Sequence, residues 1–196
     1  MSVYYHGSDQ KNLSVIKPNI STHGKKYIYA TKYRSIAILF LSRWNDFLLT
    51  LGTAIINNRL KIALVERYEN AINDIYSKKS GVIYTLNSDN FRQEKDTWEF
   101  EYISEQEERP VSSEIIINIL DEINILKKEG DIEIFYYPDR PSNIPKDDSD
   151  MINKCMELYN LSGDKHNIIY CMKRFPKLKD KLTQVFRTDY NLDLYE

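Results

Sequence analysis

Stretches of period-two alternation and stretches of helical spacing succeed one another along the chain. Ser2 to Tyr5 reads as a short strand, and residues 9–24 as loop, broken by Pro18 and a run of polar side chains. Lys26 to Ala30 alternates as a strand, and Thr31 is placed to cap the helix after it. Over residues 32–49, Ala37, Phe40, Leu41, Trp44 and Leu48 fall at helical spacing and predict an amphipathic helix. Residues 59–65 predict a strand, 66–78 a short helix or irregular crossover, and Gly81 to Leu86 a strand ending in the polar turn 87–90. From Thr97 to Ser104, Trp98, Phe100 and Tyr102 alternate with Thr97, Glu99, Glu101 and Ile103. That pattern predicts a strand with both glutamates on one side and three aromatics on the other. Glu114 to Ile119 is β-rich and leads to a helix near Asp121 to Lys128; residues 131–136 close as a strand.

Residues 137–149 hold Pro138, Pro141 and Pro145 among turn formers and predict a linker. Beyond it the spacing turns helical: Met151/Cys155/Leu158, Ile168/Met172/Phe175 and Leu178/Leu182/Val185 each fit one apolar stripe. No internal repeat is present. The expected organisation is an α+β domain over residues 1–136, a linker over 137–149 and a helical extension over 150–196.

Composition narrows the function classes. Hydrophobic residues make up 42% and charged residues 29%, which suits one packed domain rather than a disordered chain. Lys and Arg number 27 against 29 Asp and Glu, so a dominant electrostatic grip on nucleic acid or an anionic membrane is not expected. The cluster Lys173, Arg174, Lys177, Lys179 and Lys181 could touch nucleic acid or an acidic partner, or simply be a solvated face. Cys155 and Cys171 lack metal-ligand spacing and read as half-buried thiols in a reducing compartment. No apolar signal region or membrane-length run occurs, so the expectation is a soluble, cytoplasmic protein without a metal and without a membrane partner.

Three short motifs carry chemistry. Tyr5-His6-Gly7-Ser8 ends the first strand; Tyr27-Ile28-Tyr29-Ala30-Thr31 ends another and leads into the helix bearing Ala37 and Phe40; Glu99-Phe100-Glu101-Tyr102-Ile103 comes later. In this order they resemble the ADP-ribosyltransferase fold, in the diphtheria-toxin and poly-ADP-ribose-polymerase branch marked by His, Tyr and Glu. The likeness runs over residues 3–136 but rests on about a dozen positions. It implies a split β-sheet core with peripheral helices. It also implies NAD as substrate, with ADP-ribose passing to an unidentified protein or nucleic-acid acceptor, or to water.

The resemblance also implies roles. Glu101 would stabilise an oxocarbenium-like ribose as the nicotinamide bond breaks, a carboxylate's task in glycoside chemistry generally. Gly7 would offer its backbone N–H and C=O to the nicotinamide carboxamide, a side chain there blocking the approach. His6 would hold ribose hydroxyls, Ser8 would assist at the carboxamide, and Tyr29 and Phe40 would flank the ring. Glu99, two residues before Glu101, is similar in placement to the acceptor-positioning acid of the arginine-modifying branch. That branch opens with Arg where this chain has His6, so the acceptor type stays open.

Each residue has a plainer reading beside the functional one. His6 could be a strand-end histidine satisfying a backbone group, Tyr29 a core tyrosine, Phe40 a core side chain on the helix stripe, and Ser8 the start of a turn. Glu99 and Glu101 could lie on a solvated sheet face. A module of the same fold that has lost catalysis and binds a partner is the rival function. Other chemistries lack their motifs: there is no Gly-x-Ser-x-Gly, P-loop, Gly-x-Gly-x-x-Gly or His-Glu-x-x-His. Cys171 lies five residues past His166, so the two share no helix face as a nucleophile pair.

Overall fold

The computed structural model describes residues 2–20, 25–95, 97–192 and 194. The class is α+β. The chain divides into two compact units, Met1–Trp44 with Ile72–Glu133, and Asn45–Ala71 with Ile134–Glu196. The grouping differs from the expected one, because residues 45–71 go with the C-terminal helices.

The first unit holds two three-stranded antiparallel sheets. One has β1 (Val3–Ser8) and β8 (Ser112–Ile116) flanking β6 (Gly81–Asn87). The other has β2 (Asn19–Ile20) and β7 (Tyr102–Ser104) flanking β3 (Lys26–Ala30). β1 thus runs three residues past its expected end and carries the whole His6-Gly7-Ser8 motif, while β2 interrupts the expected loop. Tyr4, Ile28, Ala30, Val82, Tyr84, Leu86 and Phe91 bury together as a core. The Tyr84 hydroxyl donates to the Gln10 carbonyl and accepts from the Leu13 N–H, holding the loop after β1.

The helix expected over 32–49 is only α1 (Arg34–Leu39). Beyond Leu39 the polar residues draw the chain elsewhere: the Ser42 hydroxyl donates to the Ile75 carbonyl, and the Asn45 side chain accepts from the Phe47 N–H. Thr31 does not cap α1 directly; its hydroxyl accepts from the N–H of Tyr33, the N-cap residue. α1 packs against α3 (Ile119–Glu129), whose Asn118 cap and C-terminal Gly130 at φ 83° follow ordinary helix-end chemistry. Arg34 ties α1 to β8 and α3 through Glu114 (2.6 Å) and Glu122 (2.8 Å). α2 (Ala71–Tyr76) lies near its expected place.

In the second unit, residues 49–56, the last part of the expected long helix and beyond, form β4 (Leu49–Ile56) instead. This strand hairpins with β5 (Arg59–Glu66) through Asn57 and Asn58, both at positive φ (50° and 60°). β9 (Ile132–Phe135) is the third strand of that sheet. Helices α4 (Asp150–Ser162), α5 (Lys165–Arg174) and α6 (Lys179–Tyr190) bury most of the predicted stripes, with Cys171 joining Met151, Ile168 and Leu182, and Phe186 rather than the half-buried Val185 completing the last. Both cysteines are fully buried rather than half-buried. The neighbouring Cys171 thiol and burial hold the Cys155 thiol protonated well above its usual range, and His166 is exposed on Asp164, so no thiol–imidazole pair forms.

Residues 137–149 are packed rather than a free tether. Arg67 at the end of β5, 1% exposed, donates to Asp150 at 2.6 and 2.7 Å and to Asp148 at 3.1 Å; Asp148 also meets Arg140 at 2.6 Å. Removing one partner of a buried ion pair leaves an uncompensated charge. Asp150→Ala is therefore expected to destabilise the protein by on the order of 3 kcal/mol in urea unfolding; a change within error would mean that Arg67 is solvated.

Candidate functional site

The two sheets of the first unit join at one residue pair. The Tyr5 N–H donates to the Thr31 carbonyl at 2.7 Å, and the Thr31 N–H to the Tyr5 carbonyl at 3.0 Å. Beyond that pair β1 and β3 part, and a pocket of about 220 Å³ opens in the fork. Tyr5, His6 and Gly7 line one side, Tyr29, Ala30 and Thr31 the other, Phe40 and Ala37 a third, and Trp98, Phe100 and Glu101 a fourth. A larger cleft of about 900 Å³ shares His6, Gly7, Tyr29 and Phe40 and runs along Ser8–Gln10, Ile16–Asn19 and Ser42–Arg43.

Of the residues singled out from sequence, His6, Gly7, Tyr29, Phe40 and Glu101 border this one small pocket. The pairing explains why. Ala30 lies opposite Tyr102 in the β3–β7 ladder, so Glu101 falls beside Thr31, the residue that joins β3 to β1. Ser8 borders only the larger cleft, and its hydroxyl accepts from the Gln10 N–H, a turn role. Glu99 lines neither cavity and is exposed.

The strand expected over 97–104 is shorter. Only Tyr102–Ser104 pairs, and the Glu101 N–H donates to the Trp98 carbonyl at 2.9 Å, closing a turn. Glu99 and Glu101 therefore do not share a strand face. The alternation arose from aromatic packing instead. Trp98 meets Phe100 edge-on with ring centres 4.8 Å apart, while Tyr102 packs against Tyr4 at 5.0 Å. Trp98 and Phe100 were visible as aromatics, yet alternation placed them away from the glutamates; the turn brings them into the pocket beside Glu101.

Phe40 is not a core residue. α1 ends at Leu39, and Phe40 is 43% exposed, leaning on Trp44 at 5.3 Å. It stands where the two cavities meet.

The backbone and the missing side chain of Gly7 serve different ends. Tyr5 spends both backbone groups on Thr31, so its N–H and C=O face away from β6; two residues on, those of Gly7 face the same way, into the fork. Its missing side chain, by contrast, points at α1: a Cβ would stand 2.5 Å from the Ala37 carbonyl oxygen and 3.3 Å from Leu41. The sequence-based expectation that a side chain here would block a ligand is replaced by close approach of the helix backbone. Gly7→Ala is expected to lower stability by about 1–3 kcal/mol through overpacking, read as a fall in the thermal midpoint. An unchanged midpoint would show that α1 is free to move.

His6 is half-buried, and its Nδ1 lies 2.7 Å from the Tyr29 carbonyl oxygen. A carbonyl only accepts, so Nδ1 carries the hydrogen and Nε2 keeps a lone pair. Burial pushes the imidazole below its ordinary value of 6.5, and the Tyr29 carbonyl offsets this only in part. The ring is thus neutral at pH 7. Unfolding takes up a proton once the pH drops below the free-imidazole value, so the His6 contribution to stability is full above about pH 6.5 and fades as the pH falls. Thermal midpoints of the wild type and His6→Gln, compared between pH 7.5 and 5, should differ in slope, with the wild type losing more on acidification. Parallel curves would contradict the buried neutral ring.

No group of three or more His, Cys, Asp or Glu side chains suited to a metal ion occurs among the described residues. No helix among them is long and apolar enough to cross a membrane. Comparison with protein-family models, with curated proteins and with solved structures gave no match.

Proposed function

We propose that the first unit cleaves the nicotinamide–ribose bond of NAD and transfers ADP-ribose to an acceptor or to water, within an ADP-ribosyltransferase-like split-sheet core. The observation that carries this reading is the convergence of Glu101, His6, Gly7, Tyr29 and Phe40 on one pocket of about 220 Å³, from three distant stretches of chain. Two sheets joined at a single pair, with the pocket in their fork, also suit the expected split sheet.

The chemistry comes from the groups themselves. Tyr29 and Phe40 would flank a flat pyridinium, whose positive charge favours π surfaces. The Gly7 N–H and C=O can pair with the carboxamide's acceptor and donor. The His6 Nε2 lone pair can accept from a ribose hydroxyl, provided the ring is neutral. The bond between ribose C1′ and the nicotinamide nitrogen breaks with both electrons leaving on nicotinamide. The Glu101 carboxylate would hold a ribose hydroxyl and offset the charge growing on the sugar, an electrostatic contribution of the largest kind in catalysis.

The test is nicotinamide release from NAD by the purified protein. Wild type should turn NAD over, and Glu101→Gln should lose about 10²–10³-fold in kcat, the cost of removing one preorganised electrostatic group. His6→Ala should weaken NAD binding more than it lowers the thermal midpoint. If the wild type neither releases nicotinamide nor gains thermal stability in millimolar NAD, the domain is a partner-binding module instead.

A further inference from the structure

The near-neutral balance of the whole chain conceals two regions of opposite sign. Seven of the 27 Lys and Arg fall between residues 165 and 187, where Asp180 is the single acid, so the remainder of the chain is net acidic. Five of the seven, Lys173, Arg174, Lys177, Lys179 and Lys181, crowd the stretch that ends α5, passes through the 3₁₀ turn Pro176–Leu178 and begins α6. All four lysines are exposed. Cations at the C-terminal end of a helix offset its dipole, which accounts for Lys173 and Arg174. Lys179 and Lys181 stand instead in the first turn of α6, the end where a cation is unfavourable, and Leu178 brings no side-chain cap to it. Helix stability therefore does not account for their placement. Asp180 shares that turn and Asp147 lies near Lys181, but five cations outnumber these two carboxylates. An aromatic surface adjoins the lysines. The Arg174 guanidinium lies 4.6 Å from the ring centre of Tyr68 and 5.4 Å from that of Tyr170, and its Nε donates to the Tyr170 hydroxyl at 3.2 Å. Tyr68 itself is 40% exposed.

We propose that the α5–α6 turn and the adjoining Tyr68–Arg174 pair bind single-stranded nucleic acid, the lysines meeting its phosphates and the aromatic surface its bases. Phosphodiesters supply a regular row of negative charge, and interfaces with nucleic acid are strongly positive, whereas lysine is depleted where proteins meet one another. An anionic membrane would need apolar side chains to sink among the cations. No large aliphatic side chain is exposed between residues 165 and 187, because the apolar stripes of α5 and α6 are turned into the core. A duplex hides its base faces from Tyr68, whereas a single strand offers them, and stacking on an aromatic ring tolerates any sequence. The inference concerns the second unit and is independent of the NAD-cleaving reading of the first.

The probe is a fluorescein-labelled oligodeoxyadenylate of about 16 nucleotides, titrated with the full chain and read by anisotropy. Between roughly 50 and 200 mM salt, the logarithm of the binding constant should fall against that of the salt concentration with a slope of roughly −3, as for four phosphate contacts on a single strand. Lys177→Gln combined with Lys181→Gln should weaken binding severalfold and make the slope shallower by about 1.4, with little change in the thermal midpoint. Tyr68→Ala should lose affinity at an unchanged slope, and Tyr68→Phe, which keeps the ring, should retain it. Tighter binding of polyglutamate, of the matching duplex or of phosphatidylserine vesicles overturns the assignment. So does the absence of binding at the lowest salt, or a slope that the lysine substitutions leave unchanged. No arm uses NAD, so either reading can fail alone.

Discussion

Where Tyr5 and Thr31 exchange their backbone hydrogen bonds, β1 and β3 are locked for a single pair of residues and then part. Everything at the candidate site depends on that junction. Because Tyr5 spends its N–H and C=O on Thr31, the next residue with the same orientation, Gly7, presents its own into the gap. Because Thr31 ends β3, the ladder with β7 sets Glu101 beside it. The His6 ring reaches from β1 to the Tyr29 carbonyl of β3, a second tie between the two strands. A fork between sheets leaves backbone groups unspent in a half-enclosed place, which is costly unless something polar meets them.

The helix side of the pocket rests on close approach. α1 sits so near β1 that a Cβ on Gly7 would press into the Ala37 carbonyl, and Leu41 would meet any side chain at position 81 at 2.8 Å. Two glycines thus set the depth at which Phe40 emerges. Arg34 fastens the outer face of the same helix to Glu114 and Glu122, and it holds the Glu114 carboxyl below its ordinary range. Those exposed ion pairs are modest individually. Their part is to fix the helix angle, while burial of Ile36, Ile38 and Leu39 supplies most of the stabilisation.

Much of the strand framework was legible from alternation, since β3 and β6 carry strong period-two or continuous apolar signals between polar turns. The stripes of α4, α5 and α6 were legible for the same reason. The long helix over 32–49 was not real because the five apolar residues at helical spacing do not share one helix: Ala37 lies in α1, and the other four lie in the irregular chain between α1 and β4. Spacing reports a face only if the backbone stays regular, and Ser42 and Asn45 divert it with their own hydrogen bonds. The same confusion lengthened β7, where edge-to-face packing of Trp98 on Phe100 imitated a pleat. Of the candidate residues, His6, Gly7, Tyr29, Phe40 and Glu101 came together, whereas Ser8, at the far end of β1, borders only the larger cleft and Glu99, inside the turn before β7, borders neither. The aromatic wall could not be foreseen, because only the turn at Trp98–Glu101 directs it inward.

The reading of the fork as a nicotinamide-nucleotide site is tested most directly by a crystal structure of the protein soaked with nicotinamide. The account predicts the ring between Tyr29 and Phe40, with its carboxamide paired to the Gly7 backbone and Glu101 left facing the open side. Density for nicotinamide elsewhere, or an unfilled fork at saturating concentration, would contradict it.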